Sequence, residues 1–275
     1  MYTQPENRNQ TEKLTLTALA KMKAAGGKIA CLTAYDASFA ALLDMAGVDL
    51  VLVGDSLGNV IQGHATTVPV TMDDMVYHSR LVQRGLQRAF FVVDMPFLSY
   101  STPELALANA ARLMQEGGAQ MVKLEGSGHQ AEIVSYLNQN GVPVCAHLGL
   151  RPQNVHKLGG FKVQGRGEAA GRQMLEDALL LEQAGADIIL LELVPQALAA
   201  EITRKIKVPV IGIGAGPDVD GQILVLYDML DITPGRRPKF VRNFMAGAAS
   251  PRAAVESYVN AVRDGSYPAP EHCFD

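Results

Sequence analysis

FFVVDMP (residues 90–96) and MVKLE (residues 121–125) decide how this chain is read. Each is an apolar run of strand length that ends on a carboxylate, Asp94 in the first and Glu125 in the second. The pattern recurs in CLTAYD at Asp36, LVLVGDS at Asp55, VPVCAHLG at His147 and IILLE at Glu192. In a parallel β/α barrel the C-terminal ends of the strands gather around one mouth, and reacting side chains sit there. Repeated delivery of an ionisable group at the end of a buried strand therefore predicts an enzyme on a (β/α)8 TIM barrel.

Working outward, eight strand-like runs cover 28–33, 50–53, 90–93, 121–124, 142–146, 188–191, 208–213 and 223–226. Their unbroken apolar character suits strands covered on both faces. Helical segments with readable ends lie between them. Thr71 with Asp74 has the spacing of a capping box, and Thr102-Pro103-Glu104 supplies a cap, a first-turn proline and an acid for the positive end of the dipole, with Gly117 as a stop. Met174, Ala178 and Leu181 repeat on one helical face before Gly185 and read as core. Segments 54–71 and 158–167 are expected to carry extra structure around the site. GIGAG (212–216) lacks Rossmann spacing and the P-loop lysine, so it reads as a turn. Two added helices are expected after the last strand, at 240–245 and 251–263, the second serving contact between subunits.

With 275 residues, 48% hydrophobic and 19% charged, the chain has the size and core of a single barrel. Residues 1–27 are read as an N-terminal arm and leading segment, with a loose arm over 1–15, and 28–275 as one catalytic domain including the C-terminal helices. A net charge of -4 without a basic stripe gives nucleic acid no footprint. Asp44, Asp49 and Asp55 interrupt the longest apolar candidate for a membrane span, and the polar N-terminus lacks the apolar centre of a signal peptide. Cys31, Cys145 and Cys273 have no metal-ligand spacing and fit a reducing cytoplasm, with Cys145 packed in its strand.

Asp55, Asp94 and Glu125 end successive strands and should converge. Three crowded carboxylates repel one another unless a cation neutralises them, and an oxygen-ligated divalent ion, magnesium first, is the natural partner. The alternative use of each acid is to cap the helix that follows. Lys123 shares a strand face with Glu125. A lysine facing a barrel interior needs an anion, either the substrate or one of these carboxylates. His147 is placed to hydrogen-bond a substrate or position a ligand, and Glu192 to act as general acid or base, the plainer uses being a satisfied core histidine and a salt-bridged or capping acid.

The strings TAYDASFA, VGDSLGNVIQGHATT, DMPF, MVKLEG, PVCAHLGLRPQ, GGFKVQGR, LLELVP, VIGIGAG and DGQILV closely resemble the ketopantoate hydroxymethyltransferase family, in order and over nearly the whole chain from residue 28. The resemblance implies transfer of a hydroxymethyl group from 5,10-methylenetetrahydrofolate to 3-methyl-2-oxobutanoate, giving 2-dehydropantoate and tetrahydrofolate in pantothenate and coenzyme A synthesis. It also implies a cytoplasmic homodecamer that uses Mg2+. By position, Asp55, Asp94 and Glu125 match the family's magnesium-associated acids, and Ser56, Lys123 and His147 its keto-acid contacts. Asp55 and Asp94 also meet the keto acid, and Glu192 matches the proposed catalytic proton acceptor. A 2-oxo acid chelates a metal through its ketone and carboxylate oxygens, and the metal then stabilises the charge of the enolate. One departure, FKVQGR for the more frequent YKVQGR, is conservative.

Rival readings are a magnesium-dependent carbon-carbon lyase or mutase of the isocitrate lyase and phosphoenolpyruvate mutase kind, a non-catalytic keto-acid or folate sensor, and a structural assembly. The DxDxG-like and KKCGH strings of the first are absent, Asp94 being followed by Met95-Pro96. Converging acids argue against the other two.

Overall fold

The computed structural model describes residues 12–235 and 237–275. Its sheet is a closed, all-parallel barrel with strands in the order β1 to β8. The first half runs α1 (Leu16–Ala24), β1 (Ile29–Thr33), α2 (Ala37–Met45), β2 (Leu50–Val53), α3 (Leu57–Val60), α4 (Met72–Gly85), β3 (Phe90–Asp94), α5 (Pro103–Gln115), β4 (Met121–Glu125) and α6 (Ala131–Gln139). The second half runs β5 (Val144–Gly149), α7 (Val155–Leu158), α8 (Glu168–Gln183), β6 (Ile188–Glu192), α9 (Gln196–Lys205), β7 (Val210–Ile213), β8 (Gly221–Leu224), α10 (Leu226–Met229) and α11 (Pro251–Arg263).

Local chemistry sets the ends of these elements. Thr71 and Asp74 form the reciprocal capping box of α4, Asp74 Oδ2 accepting from the Thr71 amide at 2.9 Å. Thr102 caps α5, with Pro103 in its first turn, and the helix ends at Gln115, just short of Gly117. Asp36, one of the six strand-end ionisable residues, takes the capping role, accepting from the Ser38 and Phe39 amides. The stripe Met174, Ala178 and Leu181 is the buried face of α8. GIGAG ends β7 with Gly212 and Ile213 and then turns, with Gly214 and Gly216 at positive φ.

Two expectations need correction. The eighth strand is Gly221–Leu224, two residues before the run at 223–226. Gly221 belongs to it because a Cβ there would lie 2.5 Å from the Ile29 carbonyl oxygen, so only glycine allows the approach to β1. Leu226 has already left the sheet, its amide donating to Thr33 Oγ1 at 3.0 Å. Second, 240–245 is irregular rather than helical. Asn243 Oδ1 accepts from the Met245 and Ala246 amides, a local bond that competes with helix formation. The added helix expected at 251–263 is present as α11, and it forms a wall of the barrel. It buries Ala254, Val255, Tyr258, Val259, Ala261 and Val262, and the Tyr258 hydroxyl lies 2.9 Å from the Cys31 carbonyl on β1 and 2.8 Å from that of Gln222 on β8. It covers the closing seam that the four-residue α10 is too short to cover.

Of the segment read as a loose arm, residues 1–11 lie outside the described residues. Leu14 is tied down, its amide donating to the Arg88 carbonyl at 2.7 Å, and Thr15 caps α1. That helix packs Leu19 into the core and reaches the Val208 carbonyl and Asp220 through Lys23. The short α3 and α7 supply the extra structure expected in 54–71 and beside 158–167. Among the described residues no helix is long and apolar enough to cross a membrane.

Candidate active site

Strand register assembles the site. Across neighbouring strands Asp94 stands opposite Lys123, Glu125 opposite His147, and Gly149 opposite Glu192. Side chains two residues apart on a strand share a face, so Lys123 and Glu125 both enter the interior. Asp55, Ser56, Asp94, Lys123, Glu125, His147 and Glu192 all line one cavity of about 510 Å³, within the range of small-molecule sites. Every residue predicted for the site is thus brought together at the C-terminal mouth.

Lys123 Nζ donates to Asp94 Oδ1 at 2.6 Å, so the lysine has a carboxylate partner within the protein. Asp94 Oδ2 accepts from the Asp55 amide at 3.0 Å, which joins the ends of β2 and β3. Neither Asp55 nor Asp94 accepts from the start of a following helix as Asp36 does, and the capping alternative does not describe them. Ser56 Oγ lies 2.9 Å from the hydroxyl of buried Tyr35.

His147 stands between two acids, its Nδ1 3.7 Å from Glu125 Oε1 and its Nε2 3.4 Å from Glu192 Oε2. Both ring nitrogens are buried without a hydrogen-bond partner. Burial, reinforced by the positive charges of Lys123 and Arg151, holds the imidazole well below its usual range, so it is neutral. A neutral ring with unmet hydrogen-bonding capacity is suited to a polar ligand atom.

The acids are poorly solvated. Burial first and Asp55 second push Glu125 well above the ordinary range. Burial, with Asp94 adding repulsion against the opposing pull of Lys123 and a bond from Gln153, raises Asp55 to about 7. Glu192 is raised to about 8, again mainly by burial, against the opposing pull of Lys123. Burial alone would lower Lys123, but Asp94, Glu125 and Asp55 outweigh it and push its ammonium up. Lys123 is therefore a fixed cation and does not reach the neutral amine that Schiff-base chemistry needs.

The most informative residue missed in the sequence is Gln153. It is buried, and its side-chain amide donates to Asp55 Oδ2 at 2.8 Å and to the Met95 carbonyl at 2.9 Å. Its backbone amide donates to Glu125 Oε2 at 3.1 Å, and its Oε1 accepts the Tyr100 hydroxyl at 2.5 Å. Tyr100 in turn accepts from the Glu125 amide at 3.2 Å. One glutamine thus fixes the carboxylates of Asp55 and Glu125 together. Its only visible signal was its place just past the fifth strand, in GLRPQ.

Among the described residues no group of three or more His, Cys, Asp or Glu forms a set able to hold a metal ion by itself. Cys145 is a packing residue in β5, its thiol pushed up to about 12 by burial.

A closed parallel barrel whose C-terminal mouth carries buried acids around one lysine and one neutral histidine defines a (β/α)8-barrel enzyme. The chain belongs to the ketopantoate hydroxymethyltransferase family, whose model matches residues 13–270. It is 59% identical over 256 residues to 3-methyl-2-oxobutanoate hydroxymethyltransferase of Nitrosococcus oceani, covering 93% of this chain and 97% of the relative. The enzyme of the same name from Alkalilimnicola ehrlichii is 59% identical over 261 residues, 95% of this chain and 94% of the relative. Among solved structures, a putative phosphonomutase of Burkholderia cenocepacia is similar with a TM-score of 0.61 at 17% identity, covering 77% of this chain and 94% of that one. Phosphonopyruvate hydrolase in complex with oxalate and Mg2+ gives 0.59 at 14% identity, covering 94% and 92%. At these identities the two structures share the fold, and the lyase and mutase reading extends no further than that.

Proposed function

We propose that the protein transfers a hydroxymethyl group from 5,10-methylenetetrahydrofolate to 3-methyl-2-oxobutanoate. The keto acid loses its C3 proton and the folate methylene becomes bonded to that carbon. The two carbon–nitrogen bonds of the methylene to the folate break, water supplies the new hydroxyl, and the C3 proton and the second water proton are balanced by the two freed folate nitrogens, leaving 2-dehydropantoate and tetrahydrofolate. The observation that carries this reading is the convergence of Asp55, Asp94, Lys123, Glu125, His147 and Glu192 on one cavity in a chain of this family.

The donor set suits a divalent cation. Four carboxylates face a floor whose buried cation is Lys123, and burial drives Asp55 and Glu125 toward the neutral acid for want of more positive charge. Magnesium takes one or two protein carboxylates and fills its remaining positions with water and substrate, so it does not need a ready-made cluster of three. Asp55 and Asp94 would hold it, with Glu125 beside them. When bound, the ion supplies Lewis-acid stabilisation of charge on the ketone oxygen.

The chain's own groups do the rest. Lys123, fixed by Asp94, and Ser56, fixed by Tyr35, hold the keto-acid carboxylate and orient C3. Neutral His147 donates to a substrate oxygen. Glu192, raised to about 8, is poised near neutrality to take a proton and return it. Residues 28–275 act as one catalytic unit, placed in the cytoplasm in keeping with three free cysteines, and the working form is a homo-oligomer, a decamer by family resemblance.

The test is product formation from 3-methyl-2-oxobutanoate and methylenetetrahydrofolate. Chelator-treated enzyme should lose activity and regain it with Mg2+. Full activity after rigorous metal removal contradicts the metal assignment, and no product with metal present contradicts the function.

A further inference from the structure

The cavity has two chemically different ends. Asp55, Asp94, Glu125, Glu192, Lys123 and His147 form its floor, whereas its rim carries Phe161, Phe240 and Phe274 with the two cations Arg237 and Lys239 and a single acid, Asp228. Nothing in the handling of the keto acid uses this rim. Phe161 stands 63% exposed in the glycine-rich segment 158–167, an apolar ring left in water beside the opening. Phe274 is brought there by the folding back of the chain's last residues. The Gln196 amide donates to the Phe274 carbonyl at 2.9 Å, and Arg166 Nε to that of Asp275 at 2.9 Å. The rings of Phe240 and Phe274 meet over Gly214, where an added Cβ would come within 3.2 Å of each.

Both cations are held in place at this rim. Lys239 Nζ lies 5.1 Å from the centre of the Phe274 ring and donates to the Cys273 carbonyl. Arg237 pairs with Asp231. The keto acid occupies the floor, which the barrel closes from below, so a second reactant must enter past these groups. A reduced folate has the matching chemistry, a planar pterin and an aminobenzoyl ring joined to a tail of glutamate carboxylates. Rings of this kind stack on phenylalanine faces, and carboxylates pair with a fixed ammonium or guanidinium.

We propose that this rim is the binding site of the one-carbon donor, with the folate rings against Phe161 and Phe274 and the glutamate carboxylates on Lys239 and Arg237. The inference rests on the reading that a folate carries the one-carbon unit. It makes the C-terminal residues part of the site and gives the exposed Phe161 ring a partner.

Steady-state kinetics of the whole enzyme with Mg2+ tests it, each substrate being varied in turn. Phe161→Ala and Phe274→Ala should each raise KM for methylenetetrahydrofolate about tenfold, the size expected for loss of one stacked ring. KM for the keto acid should move less than about twofold, because the lost contact belongs to the other substrate. Phe161→Tyr, which keeps the ring, should restore folate KM. Lys239→Ala should abolish any gain in affinity of triglutamyl over monoglutamyl folate. Because Phe161 is exposed, its replacement leaves the core intact, and a wild-type folate KM in both alanine variants overturns the proposal. So does an equal rise in KM for both substrates. A wild-type enzyme that makes no product from this pair overturns the functional reading itself, an outcome distinct from either.

Discussion

Glu192 shows how much one residue's surroundings decide. Its unfolded carboxyl titrates at the ordinary glutamate value of about 4.5, and burial lifts the folded value to about 8. Between those values the folded chain keeps a proton that the unfolded chain has released. The stabilising contribution is full below the unfolded value and is lost as pH rises through the folded one. Glu192→Gln cannot ionise, so it should melt above wild type at about pH 9 and close to it at about pH 4, with turnover lower by about a hundredfold or more. Calorimetry at the two pH values checks the first part and steady-state kinetics the second. An unchanged rate would remove Glu192 from the chemistry. At this scale the sequence was most readable where strand periodicity did the work: Lys123 and Glu125 share a face because they are two residues apart. Gln153 was not readable, since a glutamine in a short turn carries no periodic signal and its bonds to Asp55 and Met95 join residues far apart in the chain.

At the scale of the element, the β5/β6 edge carries a tight backbone constraint near the chemistry. Gly149 has φ +94, and a Cβ there would lie 2.2 Å from the Glu192 carbonyl oxygen. That same oxygen accepts the Leu150 amide at 2.8 Å, so the end of β6 is held against the turn after β5. Gly149→Ala should push the Glu192 backbone outward, costing about 1–3 kcal/mol of stability by overpacking and lowering kcat through the displaced carboxylate. Thermal denaturation with kinetics on the same sample tests this, and wild-type stability with wild-type rate would contradict it. Strand positions were legible because apolar runs of strand length mark a sheet buried on both faces. The eighth strand was misplaced because Gly221, which the close approach to β1 requires, reads as a break in an apolar pattern. The segment 240–245 looked helical because Phe240, Val241 and Phe244 have helix-like spacing, yet they are buried in an irregular loop held by Asn243.

For the whole molecule, closure depends on α11 coming back across β1 and β8, an arrangement that no local pattern encodes. Tyr77, Leu98 and Leu105 are large apolar side chains exposed by 60%, 62% and 40%. Light scattering should report a large closed oligomer, and a monodisperse, fully active monomer would refute the assembly. The account stands or falls on activation of the keto acid by the buried acids before the folate takes part, and proton exchange at C3 measures that step alone. In deuterated water, without any folate, the enzyme should exchange the C3 proton of 3-methyl-2-oxobutanoate only when Mg2+ is present, read by nuclear magnetic resonance. An enzyme that forms product yet shows no metal-dependent exchange would contradict it.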